Sequence, residues 1–178
     1  MSLQEKYKKE VIPEMKKIFG YKNNLAVPRI EKATVNVGIG KFNQDEKAVE
    51  EIVSDLALIT GQKPVFTKAK KAIAGFKIRQ GLKVGLKVTL RGQRMYDFIE
   101  RLIFLALPRS RDFRGIDQKS VDQNGNLSIG IKEIIIFPEI SHENIRNIFG
   151  LEVAITTTAK TQKEGMTLFR LLGFPIKK

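Results

Sequence analysis

The chain has 178 residues, no cysteine, and 32 Lys and Arg against 19 Asp and Glu, so its formal net charge is +13 at pH 7. The missing cysteines exclude disulfides, thiolate nucleophiles and cysteine-based zinc sites, and a hydrophobic fraction of 42% in periodic segments argues against disorder. So much positive charge indicates a polyanionic partner, with nucleic acid the first candidate and an anionic membrane surface the second.

The length predicts one domain, residues 1–178, with a basic loop (residues 70–83) and a polar loop (residues 108–126) as excursions from it. The opening residues MSLQEKYKKE carry acids and no apolar run, so they do not resemble a signal peptide. The longest apolar run, Leu102 to Leu107, is too short to cross a membrane. We therefore expect a soluble, cytosolic protein that does not bind membranes.

The first elements are a helix and a strand. Apolar residues recur every three or four positions over residues 2–19, and Pro13 predicts either a kink there or two short helices. Residues 30–40 alternate, which predicts a strand with one buried face. Its outward side carries Thr34 and Asn36. An Asn in mid-strand is unfavourable, although an exposed, solvated side chain is the commoner explanation.

A helix is predicted from Asn43 to Gly61, because Asn43 and Glu46 have capping-box spacing and apolar residues then repeat at helical spacing. Its five acids are typical of a solvated helix face. They also make this helix a poor site for phosphate groups.

The next segment is acid-free from Leu56 to Tyr96 and holds ten Lys or Arg between Lys63 and Arg94. A short strand is predicted at 62–70, followed by the basic loop. Residues 83–91 then alternate as a half-buried strand with Lys87, Thr89 and Arg91 pointing outward. Phe76, inside the loop, could stack on a base or tuck into the protein.

The second half continues with helices and strands. A helix over 93–107 is expected to end at Pro108, and the polar loop is expected to lack structure. Further predictions are a strand over 125–137, a short helix or turn over 138–150, a strand over 151–159 and a closing helix that ends at Gly173. The pattern predicts an α+β fold: a largely antiparallel sheet with helices on one face and the other face free.

Enzymatic motifs are weak. GIGK (38–41) lacks the spacing of a phosphate loop, so strand-end glycines in a turn explain it better. His142 is the only histidine and has no cysteine or second histidine to complete a metal site or a triad. We expect no catalytic residue, no metal site and no cofactor.

Nucleic-acid binding has a better physical basis. If their strands are neighbours, five polar side chains project from one free sheet face: Thr34, Asn36, Lys87, Thr89 and Arg91. Cations there can meet phosphates, while Asn and Thr can hydrogen-bond riboses or base edges. A merely solvated face explains the lysines, but it explains less well why acids are absent over the same interval.

Six segments together resemble one known family: 28–40, 61–81, 87–92, 107–115, 130–140 and 173–178. In this order and spacing they closely resemble bacterial large-subunit ribosomal protein five, the family that binds 5S ribosomal RNA. The resemblance runs essentially from end to end of the chain. No single motif would have been sufficient.

The resemblance implies a non-enzymatic protein that anchors 5S RNA in the central protuberance of the large subunit, beside other large-subunit RNA and proteins. The family's RNA-binding Asn, Gln and Thr match Asn36, Gln62 and Thr89. The expected 5S RNA site also includes the neighbouring outward residues and two lysines of the basic stretch: Thr34, Lys87, Arg91, Lys68 and Lys70. Outside the ribosome we expect a monomer.

Two further contacts are implied. The transfer RNA in the P site would meet residues 73–81, with Lys77 and Arg79 on phosphates; the whole segment is Ile73, Ala74, Gly75, Phe76, Lys77, Ile78, Arg79, Gln80 and Gly81. A protein of the small-subunit head would meet residues around 109–115 and 134–144, chiefly Arg109, Arg111, Asp112 and Arg114.

Two other functional classes stay open at this point. A DNA-binding architectural protein would bind duplex DNA as well as structured RNA. A nucleotide-processing enzyme would need affinity for nucleotides or metal ions, for which this sequence gives little ground.

Overall fold

The computed structural model describes residues 2–42, 45–111, 113–140 and 147–177. In these residues the centre is an antiparallel sheet of five strands in the order β2-β3-β1-β5-β4. Helices pack against one face, so the predicted α+β fold is confirmed. The strands are β1 (Ile30–Gly38), β2 (Val65–Lys68), β3 (Lys83–Leu90), β4 (Leu127–Ile131) and β5 (Leu151–Thr157).

The α-helices are short or of medium length. They are α1 (Leu3–Lys6), α2 (Ile12–Phe19), α3 (Glu46–Thr60), α4 (Gly92–Arg101), α5 (Leu107–Arg109) and α6 (Gln162–Leu172). In the described part of the chain, single 3₁₀ turns lie between these elements at Asn24–Ala26, Gly40–Phe42, Ala74–Phe76, Gln118–Ser120 and Ile134–Ile136.

The strands bury one side and leave the other side open, as their alternation predicts. Along β1, Ala33, Val35 and Val37 are at most 3% exposed, whereas Asn36 between them is exposed. The same holds for the central residues of β3 and β5, and their buried side chains meet α3, α4 and α6 in one apolar core. The two faces of the sheet therefore differ sharply in chemistry.

Both prolines that were expected to break helices are accommodated. The amide of Ile12, just before Pro13, bonds to the carbonyl of Tyr7, five residues back, and Leu107, just before Pro108, bonds likewise to Leu102. A proline ring clashes with the carbonyl four residues earlier, and a π-helical turn relieves that clash. The first helix thus runs on through Pro13, and the second helical stretch ends at Arg109, one residue beyond Pro108, close to the predicted end.

The start of α3 differs from the predicted capping box. Asp45 is the N-cap, and its carboxylate accepts from the amides of Lys47 and Ala48. Asn43, the expected cap, lies outside the described residues. The end agrees, because Gly61 adopts a left-handed conformation with φ of 67°.

The polar loop is more structured than predicted. Ile116 pairs with Ile176, Val121 pairs with Leu127, and both Ile116 and Val121 are at most 5% exposed. These isolated apolar residues hold the segment on the protein, although its composition as a whole is polar.

The predicted strand over 125–137 is too long. Strand β4 ends at Ile131, and after Lys132 and Glu133 a 3₁₀ turn carries Ile134 into the core. An apolar run of this length does not distinguish a strand from a buried turn, because both bury their side chains. Of the predicted helix or turn over 138–150, residues 138 and 139 form a turn, residues 141–146 lie outside the described residues, and 147–150 are not helical.

Within the described ranges, no helix is long and apolar enough to span a bilayer. In the same residues, no group of three or more His, Cys, Asp or Glu side chains is arranged to hold a metal ion.

Candidate nucleic-acid interface

The open face of the sheet, called here the polar face, brings together the outward side chains of β1 and β3. In the antiparallel register Thr34 lies opposite Thr89, and Asn36 lies opposite Lys87. Directly opposed residues have side chains close enough to act on one ligand. Asn36 and Lys87 are exposed, while Thr34 and Thr89 are half-buried.

The remaining predicted 5S RNA residues surround this centre. Arg91 is exposed just after β3, where it precedes α4. Lys68 ends β2 at a bulge opposite Lys83, and Lys70 is exposed at the start of the basic loop. Gln62 is half-buried in the link between α3 and β2, and the structure shows no direct contact that joins its side chain to Asn36 or Thr89.

On the side of β2 and β3, the charge beside the polar face is entirely positive. Strands β2 and β3 and the loop between them fall inside the acid-free interval from Leu56 to Tyr96. Both members of the ion pairs Lys17–Glu14 and Arg101–Glu139 lie outside this interval. The cations beside the polar face are therefore placed to attract phosphates.

The basic loop extends the β2–β3 hairpin as an ordered projection. The amide of Ala69 bonds to Leu82, and Ile73 and Ile78 exchange backbone hydrogen bonds of 2.9 and 3.1 Å. Lys77 has φ of 53°, the left-handed conformation that closes the turn at the tip. All residues from 70 to 83 are exposed except Ile78, which is half-buried.

Phe76 does not tuck into the protein. Its side chain is 75% exposed at the tip of the basic loop, and Ile73 beside it is 47% exposed. An exposed aromatic ring among cations is the arrangement that stacks on unpaired bases. The structure thus favours the first of the two sequence alternatives for this residue.

The residues predicted to contact the small subunit differ in their exposure. Arg109, Arg111 and Arg114 are exposed on one segment, so a partner can reach them. Asp112 lies outside the described residues. In the described part of the second predicted segment, 134–144, Ile134, Phe137 and Ile140 are at most 5% exposed, whereas Pro138 is exposed and the remaining residues of this part are half-buried.

Sequence reasoning missed the neighbour of β1 on its other side. Strand β5 pairs with β1 so that Glu152 lies opposite Asn36 and Ala154 opposite Thr34. Alternation alone predicts that Glu152 points outward, but a single sequence does not say which strands are adjacent. The position of this acid at the centre of the polar face was therefore not predicted.

The motifs set aside as non-catalytic have structural roles or lie outside the described residues. Gly38 ends β1, and residues 40–42 form a 3₁₀ turn, as expected of strand-end glycines. His142 lies outside the described residues. What the polar face offers is amide, hydroxyl, carboxylate and ammonium groups, which can bind riboses, base edges and phosphates.

Comparison with known proteins gives the family. Residues 23–79 match the family "Ribosomal protein L5", and residues 83–176 match the model of the C-terminus of the same ribosomal protein family. The "Large ribosomal subunit protein uL5" of Thermoanaerobacter sp. (strain X514) is 52% identical over 99% of this chain and 98% of its own length. That of Syntrophomonas wolfei is 53% identical over 98% of each chain, and that of Dictyoglomus turgidum is 54% identical over 99% of this chain and 98% of its own.

Matches of this extent cover both the strands of the polar face and the basic loop between them. The chain therefore belongs to the uL5 family of bacterial large-subunit ribosomal proteins, which are structural rather than enzymatic.

Proposed function

We propose that this protein binds 5S ribosomal RNA through the polar face and helps to attach it in the central protuberance of the large subunit. In this proposal Asn36 and Thr89 hydrogen-bond the RNA, and Gln62 contacts it from the edge beside β2. Thr34 adds a hydroxyl, while Lys87, Arg91, Lys68 and Lys70 meet phosphates.

The coarser role follows from the family. As a uL5 protein, the chain is a structural component of the large ribosomal subunit, it associates with ribosomal RNA and ribosomal proteins, and in bacteria it resides in the cytoplasm. The expectations of a ribosomal, non-enzymatic protein are confirmed on this ground.

One observation carries the proposal for 5S RNA. The register that sets Asn36 opposite Lys87 and Thr34 opposite Thr89 gathers neutral hydrogen-bonding groups beside a cation on one open surface. Neutral amides and hydroxyls suit riboses and base edges, while the cations around them suit the backbone. A surface that only kept the protein soluble would not need neutral hydrogen-bonding groups and a cation at directly opposed positions.

The basic loop supports a second contact, with the transfer RNA in the P site. Its tip projects from the sheet on paired backbone, with Phe76 exposed and Lys77 and Arg79 beside it. Lys77 and Arg79 would meet phosphates, and Phe76 would stack on a base. The exposed guanidinium groups of Arg109, Arg111 and Arg114 support a third contact, with a protein of the small-subunit head.

The proposal is tested by binding to purified 5S RNA, to an unrelated structured RNA and to duplex DNA over a range of salt concentrations. We expect the preference for 5S RNA to persist as salt rises. Asn36→Ala and Thr89→Ala should each weaken 5S binding by about 1 kcal/mol with little change in salt dependence, because they remove uncharged hydrogen bonds. Lys87→Ala should lower the salt slope by about 1.

Asn124→Ala is the matched control, since Asn124 is exposed in the turn that approaches α6 and its loss should leave 5S binding unchanged. If all three nucleic acids bind alike and salt abolishes all binding together, the polar face is a generic polyanion surface. The alternative of a general nucleic-acid-binding architectural protein would then replace this proposal.

A further inference from the structure

Glu152 is an acid at the centre of a surface that otherwise attracts RNA. Across strands β3, β1 and β5, the residues Lys87, Asn36 and Glu152 form one row on the polar face. Among the outward residues of β1 from Lys32 to Gly38 and their cross-strand partners, Glu152 is the one acid. A carboxylate here opposes phosphate binding, so its presence needs a reason.

The fold does not use this carboxylate. Glu152 is exposed. Within the residues that the structure describes, its carboxylate forms neither a hydrogen bond nor an ion pair. Lys87 lies two strands away, roughly 10 Å across the sheet, and no ion pair joins these two side chains. Both carboxylate oxygens are therefore free to accept hydrogen bonds from a ligand.

Beside Glu152 the surface forms a shallow depression with little side-chain bulk. Three glycines, Gly38, Gly130 and Gly150, line it together with Asn36, Glu152, the exposed Lys132 and the backbone neighbours Ile131 and Leu151. Gly130 lies opposite Glu152 in the register of β4 and β5, and a side chain added at Gly38 or Gly130 would meet nothing within 4 Å. The depression is thus open enough for a planar group to approach the backbone closely.

We propose that Glu152 recognises an unpaired guanine of the bound RNA. This inference rests on the proposed 5S RNA function. The guanine Watson–Crick edge carries O6 as an acceptor, followed by the N1–H and the N2 amino group as donors. Along the row, Asn36 and Glu152 present the complementary order, with an amide donor first and two carboxylate acceptors next, while Lys87 at the end of the row meets a phosphate.

This arrangement discriminates among bases. Guanine offers two adjacent N–H donors to the two oxygens of the carboxylate, whereas cytosine and adenine offer one amino group each, and uracil sets carbonyl oxygens on both sides of its single N–H. Repulsion between Glu152 and phosphates keeps the RNA backbone away from this position. Glu152 thus acts on specificity, while the cations of β3 and the basic loop supply attraction.

The first arm of the test compares Glu152→Gln with Glu10→Gln, in full-length protein, on 5S RNA and on an unrelated structured RNA. Glu10 is exposed on the helical side and makes the same change of charge away from the polar face. We expect Glu152→Gln to lower 5S affinity by about tenfold, while affinity for the unrelated RNA rises slightly. Glu10→Gln should change both affinities in the same direction and to the same small extent.

The second arm identifies the base. A pool of 5S transcripts with random phosphorothioate-tagged inosine in place of guanosine is separated into bound and unbound fractions and mapped by iodine cleavage. Inosine lacks the N2 amino group, so we expect the wild-type protein to exclude inosine at a discrete unpaired position. That interference should disappear with Glu152→Gln and persist with Glu10→Gln.

The outcomes separate this inference from the function on which it rests. If the wild-type protein does not prefer 5S RNA, the proposed function fails. If it prefers 5S RNA but Glu152→Gln raises both affinities equally, or inosine interference is unchanged by that substitution, the role of Glu152 is refuted and the proposed function stands.

Discussion

Gly165 shows how a single residue determines how closely two segments approach. It lies in α6, where a β-carbon would come within 2.4 Å of the α-carbon of Gly125 and 2.5 Å of its carbonyl oxygen. Both are backbone atoms, so the contact is relieved only if the helix moves away. The close approach holds α6 against the turn that begins β4.

We predict that Gly165→Ala destabilises the protein by about 2 kcal/mol, because the cost of overpacking exceeds the gain in helix propensity. Urea unfolding measures the change. Lys163→Ala, exposed on the same helix, is the control and should stay within about 0.5 kcal/mol of wild type. A Gly165→Ala variant as stable as wild type would mean that the helix is not held at this distance.

Glu164 joins two parts of the chain, the segment of Tyr21 and the start of α6, through one carboxylate. It accepts a hydrogen bond from the hydroxyl of Tyr21, and it accepts from the amides of Lys160 and Thr161 at the start of α6. Burial raises the pKa of Glu164, but these hydrogen bonds outweigh it, and the net pKa is below the usual 4.5. The carboxylate is therefore favoured by folding.

A lowered pKa in the folded state stabilises the protein above the unfolded pKa and loses that effect as pH falls through the folded value. We predict that wild type is more stable than Glu164→Gln at pH 7, and that the difference shrinks as the pH is lowered from about 5 to about 3. Denaturant unfolding at several pH values measures it. A difference that stays constant across this range would show that the charge of Glu164 does not contribute.

At the scale of elements, alternation of apolar residues predicted the inner and outer faces of β1, β3 and β5, because each has one face in the core and one in water. That β1 and β3 are neighbours was not itself predicted. Their shared outward face was predicted only on the condition that they are. The pairing of β1 with β5, which brings Glu152 beside Asn36, was not predicted, because strand order depends on contacts distant in sequence.

Sequence composition gave wrong predictions for two segments whose path depends on how a few side chains pack in the core. The polar loop was expected to lack structure, yet Ile116 and Val121 hold it on the core. The segment of Ile134 reads as a strand but turns inward after Lys132 and Glu133. Composition describes the average of a segment, whereas one or two buried residues determine its path.

The basic loop is an element whose role can be separated from the rest of the fold. Its hairpin base is closed by backbone hydrogen bonds between Ala69 and both Gly81 and Leu82. Residues 71–79 are exposed apart from half-buried Ile78, so the apolar core does not depend on them.

We predict that replacing residues 71–79 with a short glycine turn leaves unfolding stability and 5S RNA affinity near those of wild type, since Lys70 and the polar face remain. Ribosomes assembled with the shortened protein should bind transfer RNA less tightly in the P site. Phe76→Ala in the intact loop is the companion variant. Unchanged P-site binding in both would contradict the proposed role of the loop.

At the scale of the whole molecule, the sheet separates two surfaces with different tasks. One side is buried under helices, and the other carries amides, hydroxyls and cations in register. A net charge of +13 explains attraction to any nucleic acid. In the proposed function, a preference for 5S RNA comes from the polar face, with its uncharged groups and its single acid among paired positions.

Lysine acylation of the protein, free and bound to 5S RNA, read residue by residue by mass spectrometry, tests this account most directly. Lys87 and half-buried Lys32 lie on the polar face, whereas Lys8, Lys9 and Lys163 are exposed on the helical side. If 5S RNA binds the polar face, it protects Lys87 and Lys32 and leaves the other three reactive. Protection of Lys8, Lys9 and Lys163, with Lys87 still reactive, would contradict it.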